Sequence, residues 1–298
     1  MNLFANPVLA KELRTRIRGN RALLLLTVYL VITGVITMLV YAVSVPQISN
    51  FSDPEAGRNI GRAIFLTVMT AALIQVCIIT PSLTAGTIAG EKERQSYDLL
   101  ITTLLSPLQI VLGKMTAALA FAMLLIVSAL PLEGLAFLFG GVSGTELLIG
   151  IVGLMMTAIF FASVGMFWST IMRSTLASTV TAQGSVLLML LGVPFLWFVS
   201  TVLVQGFDGE LSPLYVYLAG ALVCIHPFIA LGMTEAALVS GEGPFIIEVP
   251  TNQGSISVPS PWLVYIFIAA LFTLLFLFLS VKLLRPVEYR LSRKKSKS

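Results

Sequence analysis

Between Arg21 and Asp53, Arg62 and Glu91, Lys114 and Glu133, Glu146 and Arg173, and Arg173 and Asp208, the chain carries no charged side chain at all. A sixth uncharged run spans Pro261 to Val281. Each is near or beyond the roughly 20 apolar residues that a helix needs to cross the hydrocarbon core of a bilayer. Inside lipid no water is available to the backbone, so such runs must be helical. Composition agrees: 57% of residues are hydrophobic and 11% charged, against about 25% charged in soluble domains. A water-soluble globule, a disordered chain and a disulfide-stapled secreted domain are all excluded. The two cysteines, Cys77 and Cys224, sit in apolar runs and read as buried, inert thiols. The expected fold class is an all-α polytopic membrane protein, one transmembrane domain with six transmembrane helices at 22–44, 63–90, 107–138, 147–172, 175–204 and 261–284.

The positions of the basic residues set the orientation. Of the 18 Lys and Arg, five precede the first span and seven lie at or after the last, including the basic tail at 285–298. Lys92, Arg94 and Lys114 fall between spans two and three, and Arg173 between four and five. With six spans, sixteen of the 18 face one side, which the positive-inside rule makes cytoplasmic; only Arg58 and Arg62 face the other. The uncharged run from Leu211 to Thr234 is long enough to be a seventh span, but that would export the basic tail. It is read instead as an outer re-entrant hairpin of two helices over 211–240, broken at His226, Pro227 and Phe228, because proline removes a backbone donor. The first span is too long for the apolar core of a signal peptide and is expected to be retained. The expected location is therefore the cell membrane, with both termini cytoplasmic.

Two cytoplasmic elements carry further information. Ahead of the first span, Asn6 can cap a helix that Pro7 begins and Gly19 ends. Over 7–19, Leu9, Leu13 and Ile17 recur every fourth residue beneath a face that includes Lys11 and Arg14. That pattern describes an amphipathic helix lying in the membrane interface, with the anionic leaflet rather than nucleic acid as its partner. Between spans two and three, alternating charges at Glu91, Lys92, Glu93 and Arg94 lead into Tyr97, Asp98, Leu100, Ile101 and Leu104, where the apolar residues share one helical face. Ser106-Pro107-x-Gln109 then forms a capping box that starts span three. A short charged helix over 91–105 is something a soluble protein could grip.

The succession Ile88-Ala89-Gly90-Glu91-Lys92-Glu93-Arg94, Asp98-Leu99-Leu100-Ile101-Thr102-Thr103 and Leu105-Ser106-Pro107 through Gly113-Lys114 resembles the cytoplasmic motif of type-2 ABC exporter permeases. The Asn6-Pro7 to Arg18 segment is similar to the interfacial connecting helix of that family. The resemblance implies a permease subunit that pairs with a second permease subunit, as homodimer or heterodimer, and binds two copies of a separate ABC ATPase. It implies that ATP and Mg are held by that partner and that no cofactor is bound by this chain. It makes 91–105 the coupling helix, with Glu91, Glu93, Arg94 and Asp98 in charged contact with the ATPase while Tyr97, Leu100 and Leu104 seat it. Spans two and five of that family line the dimer axis, so Gln75, Thr67 and Thr70 on span two and Gln183 and Thr179 on span five are the candidate substrate path.

Several chemistries have no residues to support them. No G-x-x-x-x-G-K-[ST] is present, so the chain is not expected to hydrolyse ATP itself. A lone histidine, His226, gives neither a His-based metal site nor a relay of imidazoles. Glu133 is the one acid inside a plausible span and is expected to snorkel near the outer boundary. The expected function is therefore a membrane-spanning permease coupling a partner's ATP hydrolysis to substrate translocation by alternating access. The competing readings are an ion-coupled secondary transporter, which calls for inverted repeats and midplane charge, and a non-transporting membrane scaffold.

Overall fold

The computed structural model describes residues 20–44, 54–97, 106–208, 212–251 and 254–284. Six long helices dominate them: α1 (Asn20–Ser44), α2 (Pro54–Glu93), α3 (Pro107–Leu138), α4 (Gly144–Ile171), α5 (Thr175–Asp208) and, last in the chain, α8 (Pro261–Leu283). All six are long and apolar enough to cross a membrane. The N-terminal interfacial helix, with Leu9, Lys11, Leu13, Arg14 and Ile17, and the basic tail lie outside the described residues.

The long helices alternate in direction, so their ends gather into two groups. One end of the bundle brings together the terminus of α2, the start of α3, the end of α4 and the start of α5; we call it the Glu91 end. The other, the Glu146 end, holds the starts of α2 and α4 together with the segment between α5 and α8.

The core is built around α2, which packs against α1, α3, α4 and α5. α2, α3 and α4 bury half or more of their most apolar stretch, whereas α5 buries almost none. Leu176, Leu188, Leu191 and Phe198 on α5 and Leu23, Val31 and Met38 on α1 are exposed, as expected where the surrounding solvent is lipid or another apolar helix. Between α2 and α4 the packing is close enough to need glycine. A Cβ on Gly165 would sit 2.4 Å from the Pro81 carbonyl oxygen, and in the turn between α3 and α4 one on Gly141 would sit 2.3 Å from the Arg62 nitrogen. Small residues let membrane helices approach backbone to backbone.

α2 is longer than its uncharged run suggested, extending to 40 residues where the sequence indicated 63–90. The flanking charges mark the end of the hydrocarbon-compatible stretch, not the end of the helix. A backbone outside lipid can stay helical if its charged side chains find partners, and those of Arg62, Lys92 and Glu93 do so.

The segment between α5 and α8 contains α6 (Pro213–Val223) and α7 (Pro227–Val239). Their 11 and 13 residues extend about 17 and 20 Å, short of the roughly 30 Å hydrocarbon core. α6 runs back along α5, from Tyr215 beside Thr201 to His226 beside Leu190, and α7 returns to the Glu146 end, where Glu235 meets Arg62, so the pair turns back without a seventh crossing. It is followed by two strands that the sequence analysis did not anticipate, β1 (Ile246–Thr251) and β2 (Gly254–Pro259), paired antiparallel with Ile246 opposite Pro259. The base of this ribbon is anchored by Trp262, whose indole donates to the Pro244 carbonyl at 2.6 Å and whose backbone N–H donates to Thr234 Oγ1 at 3.0 Å.

Candidate functional site

The motif that carried the sequence argument lies at the Glu91 end, and its charges are divided between two tasks. α2 ends in a Schellman turn: Ser96 N–H donates to the Glu91 carbonyl at 3.0 Å and Gln95 N–H to the Lys92 carbonyl at 3.2 Å. Its left-handed residue is Gln95, with φ 58°, where glycine is usual. Glu91 and Glu93 therefore stand on the last turn of α2 and not on a separate helix beginning at 91. Tyr97 is helical again, while Asp98, Leu100 and Leu104 lie outside the described residues.

Each charge on that last turn is tied to a different helix. Lys92 Nζ donates to the Thr170 and Met172 carbonyls at 2.6 and 3.3 Å, a cation at the C-terminus of α4. Glu93 accepts from the backbone N–H and the hydroxyl of Thr175 at 2.9 and 2.7 Å, an anion at the N-terminus of α5. Glu91 accepts from the Ser96 hydroxyl and lies 3.4 Å from the ammonium of Lys114 on α3. Lys114 is buried and also donates to the Thr87 carbonyl at 3.1 Å. Just inside, Ser169 Oγ accepts from the N–H groups of Ile88 and Ala89 at 2.8 and 3.0 Å, and Ser178 Oγ donates to the Ala85 carbonyl at 2.7 Å. The end of α2 is stitched to α3, α4 and α5 by seven side chains, Glu91, Lys92, Glu93, Lys114, Ser169, Thr175 and Ser178, four of them charged.

Outside that stitching, Glu93, Arg94 and Gln95 are exposed and Tyr97 is half-buried. Tyr97 Oη donates to the Leu284 carbonyl at the end of α8 at 3.4 Å, and the Lys92 ammonium sits 5.5 Å from the center of its ring. The capping box expected at the start of α3 is present: Ser106 Oγ accepts from Gln109 N–H at 3.3 Å and Gln109 Oε1 from Ser106 N–H at 2.8 Å.

The candidate path residues do not form one polar channel within this chain. Gln183 is half-buried and donates to the Ile78 carbonyl and to Ser82 Oγ, tying α5 to α2. Thr67 and Thr179 donate back to the carbonyls of Ala63 and Thr175 in their own helices. Gln75 is half-buried, and Thr70 is exposed on the wall of a cleft at the opposite end. Glu133 corrects an expectation: it does not snorkel but is 1% exposed, and its Oε2 has no hydrogen-bond partner among the described residues.

His226 is explained by the helix beside it. Pro194 lies inside α5 and has no N–H to give to the carbonyl four residues back, that of Leu190. His226 Nε2 lies 3.1 Å from that carbonyl oxygen, and His226 Nδ1 accepts from Ile229 N–H at 3.2 Å as the N-cap of α7. Both contacts are satisfied by one neutral tautomer, with the proton on Nε2. Burial lowers the His226 pKa, which favours that neutral form. Pro227 occupies the first turn of α7, and the Phe228 ring lies 5.7 Å from the imidazole.

One charged group escaped the sequence analysis. Arg62 on α2 lies 3.7 Å from Glu146 on α4 and 3.4 Å from Glu235 on α7. The three are 84 and 89 residues apart in sequence, and no local spacing signals their convergence. Burial and the charge of Glu146 both raise the Glu235 pKa, with Arg62 opposing them. Among the described residues no group of three or more metal-ligating side chains is present.

The comparisons with known proteins bear on the whole of this arrangement. A family model described as ABC-2 family transporter protein matches residues 6–219. No curated protein matches the chain.

Proposed function

The chain belongs to the ABC-2 transporter family, and from that membership we propose that it couples ATP hydrolysis on a separate ATPase subunit to export of a substrate across the cell membrane. It is a multi-pass membrane permease of an ABC transporter, and the family is its membrane component and not its ATPase. In the proposed assembly two copies of the ATPase hold ATP and Mg, and both chain termini face the cytoplasm. A second permease subunit covers the exposed apolar faces of α1 and α5, with Gln75, Gln183, Thr67, Thr70 and Thr179 contributing to the path.

The observation that supports coupling best is the division of charge at the end of α2. Lys92, Glu93, Glu91 and Lys114 bind α2 to α3, α4 and α5, while Arg94 and Gln95 project from the turn just beyond. A force applied at that turn is delivered to four helices at once. Arg94, Tyr97, Asp98, Leu100 and Leu104 are then the surface toward the ATPase, and Glu91 and Glu93 are the braces behind it. Inward movement of the braced helices would widen the Glu146 end, as alternating access requires.

The division also selects the experiment. Reversing Glu91 and Glu93 would break the braces as well as any docking contact, so loss of activity there has two causes. The discriminating variant is Arg94→Glu combined with Asp98→Lys, purified with the ATPase that accompanies the tagged wild-type chain. The expected result is ATPase activity reduced to that of the isolated partner, with the thermal transition of the permease unchanged. Full ATPase stimulation in this variant would refute the coupling role.

A further inference from the structure

α4, α5, α8 and the turn between α6 and α7 surround a cavity of about 270 Å³. α5 and α8 each pack against α4, and the cavity is the space left between them. Phe160, Phe161 and Val164 of α4 and Val186 of α5 form its buried floor. Phe272 and Phe276 of α8 and Ile225 of the hairpin turn are half-buried at its rim. Ser185 and Met189, also on its wall, stand ten and fourteen residues after Thr175, about 15 and 21 Å along α5. The cavity therefore sits within the roughly 30 Å of hydrocarbon that the helices cross. No charged side chain lines it. Its two polar side chains with N–H or O–H groups are already engaged: Trp168 Nε1 donates to Ser185 Oγ at 2.8 Å, and Ser185 Oγ donates to the Thr181 carbonyl at 2.8 Å.

An empty void of this size is costly in a close-packed bundle, because its walls forfeit their dispersion contacts. Water does not fill it well, since a buried water needs two to four polar partners and both side-chain donors on the wall are spent. An ion would find no opposite charge. We propose that the cavity holds one alkyl chain of a membrane lipid, entering between α5 and α8 with its headgroup left outside the bundle. The size fits: a dry cavity of about 150 Å³ takes the six carbons of benzene, so about 270 Å³ takes roughly ten carbons of a chain. The surrounding rings select a chain over a flat ligand. Phe160 is tilted by 30, 47 and 32° against Phe161, Phe272 and Phe276, which surrounds a flexible chain with contacts but gives a flat ring no parallel pair to stack between. The source of the chain is at the mouth, where Leu188 of α5 and Leu275 of α8, next in sequence to Met189 and Phe276, are exposed. The inference needs only that the helices cross a membrane, and not the coupling reading.

Photolabelling from the lipid side separates a chain held in the cavity from the layer that merely surrounds the protein. The probe is phosphatidylcholine with a diazirine near the middle of one acyl chain, mixed into phosphatidylcholine nanodiscs that hold the full chain. After irradiation and digestion, mass spectrometry maps the adducts. The expected result is an adduct on 160–164, whose floor residues Phe160, Phe161 and Val164 are buried, besides adducts on exposed Leu188 and Leu191. Val186→Trp fills the cavity from α5 and Val164→Phe fills it from α4. Each is expected to reduce the 160–164 adduct at least tenfold and to leave the Leu188 and Leu191 adducts unchanged. The proposal is overturned by a wild type without the 160–164 adduct, as when a second copy of the chain closes the mouth. It is equally overturned by an adduct that survives both variants, or by equal labelling of 160–164 with a water-soluble diazirine, which would mean a wet cavity. Thermal transitions in the same nanodiscs identify a folding defect. Should either variant unfold, Met189→Trp, which narrows the cavity from the wall of α5, must produce the same loss for the proposal to stand.

Discussion

The ion pair between Lys114 and Glu91 is a quantitative test of how the end of α2 is held. Lys114 is 2% exposed, and its ammonium lies 3.4 Å from Glu91 Oε1. Two unit charges at that distance attract by about 5 kcal/mol at an effective dielectric of about 20. Desolvation of a buried ammonium offsets several kcal/mol of this. The Glu91 side chain is 31% exposed, so water screens part of the remainder. Glu91→Gln is therefore expected to cost about 1 to 3 kcal/mol, because it leaves the ammonium buried opposite a neutral amide. Lys114→Met removes that ammonium with a side chain of similar length and is expected to cost less. The double variant should then resemble Lys114→Met alone, giving a coupling free energy of at least about 1 kcal/mol. Reversible unfolding by SDS titration in mixed micelles, run as a double-mutant cycle, reads this directly. Additivity of the two single changes within about 0.5 kcal/mol would show that the pair does not hold α2 in place.

Three further outcomes follow from the geometry. Gly165→Leu should destabilise the chain by about 1 to 3 kcal/mol, because the α2 backbone at Pro81 cannot withdraw from the new side chain; an unchanged unfolding midpoint would refute the close approach. Gln95→Gly should stabilise the α2 terminus by up to about 1 kcal/mol, since φ 58° suits glycine better than an L side chain; a loss of stability in the same titration would count against the Schellman turn. For His226, burial holds the folded pKa below the ordinary 6.5, so its contribution is complete above pH 6.5 and is lost as pH falls through the lowered value. Hydrogen exchange over 224–231, corrected for intrinsic rates, should accelerate at pH 5 relative to pH 7.5. The same acceleration in His226→Asn would exclude this histidine as its cause.

Much of the architecture is legible in the sequence because lipid punishes charge wherever the backbone must cross. The uncharged runs located all six long helices, and the excess of basic residues argued against a seventh crossing at Leu211 to Thr234, where α6 and α7 form a short hairpin. The ends were less legible: α2 continues past Arg62 and past Gly90, because once outside lipid a helix is limited by its caps and not by its hydropathy. The strands β1 and β2 were missed for a related reason. Their alternation from Ile246 to Val258 sits in a segment too short and too polar to register as a span. The charged cluster at Glu91–Arg94 was found, but composition could not separate Arg94, which faces outward, from Lys92, which closes the end of α4. Arg62, Glu146 and Glu235 illustrate the real limit, since only the folded bundle brings them together. His226 lies between these cases: its proline neighbor marked a break, but its partner carbonyl was exposed by a different proline, Pro194, in another helix.

The length of α2 has a mechanical consequence. Its 40 residues make a rod about 60 Å long, twice the thickness of the hydrocarbon it crosses. A tilt of about 5° around its midpoint would displace each end by about 2.6 Å in opposite directions, given the 1.5 Å rise per residue. At Arg62, about 17 Å from the midpoint, the same tilt gives a displacement of about 1.5 Å, enough to stretch its 3.4 and 3.7 Å contacts with the two carboxylates while Glu93 moves the other way with α5. A displacement too small to unpack the core would thus be read out as making or breaking an ion pair on the far side of the membrane.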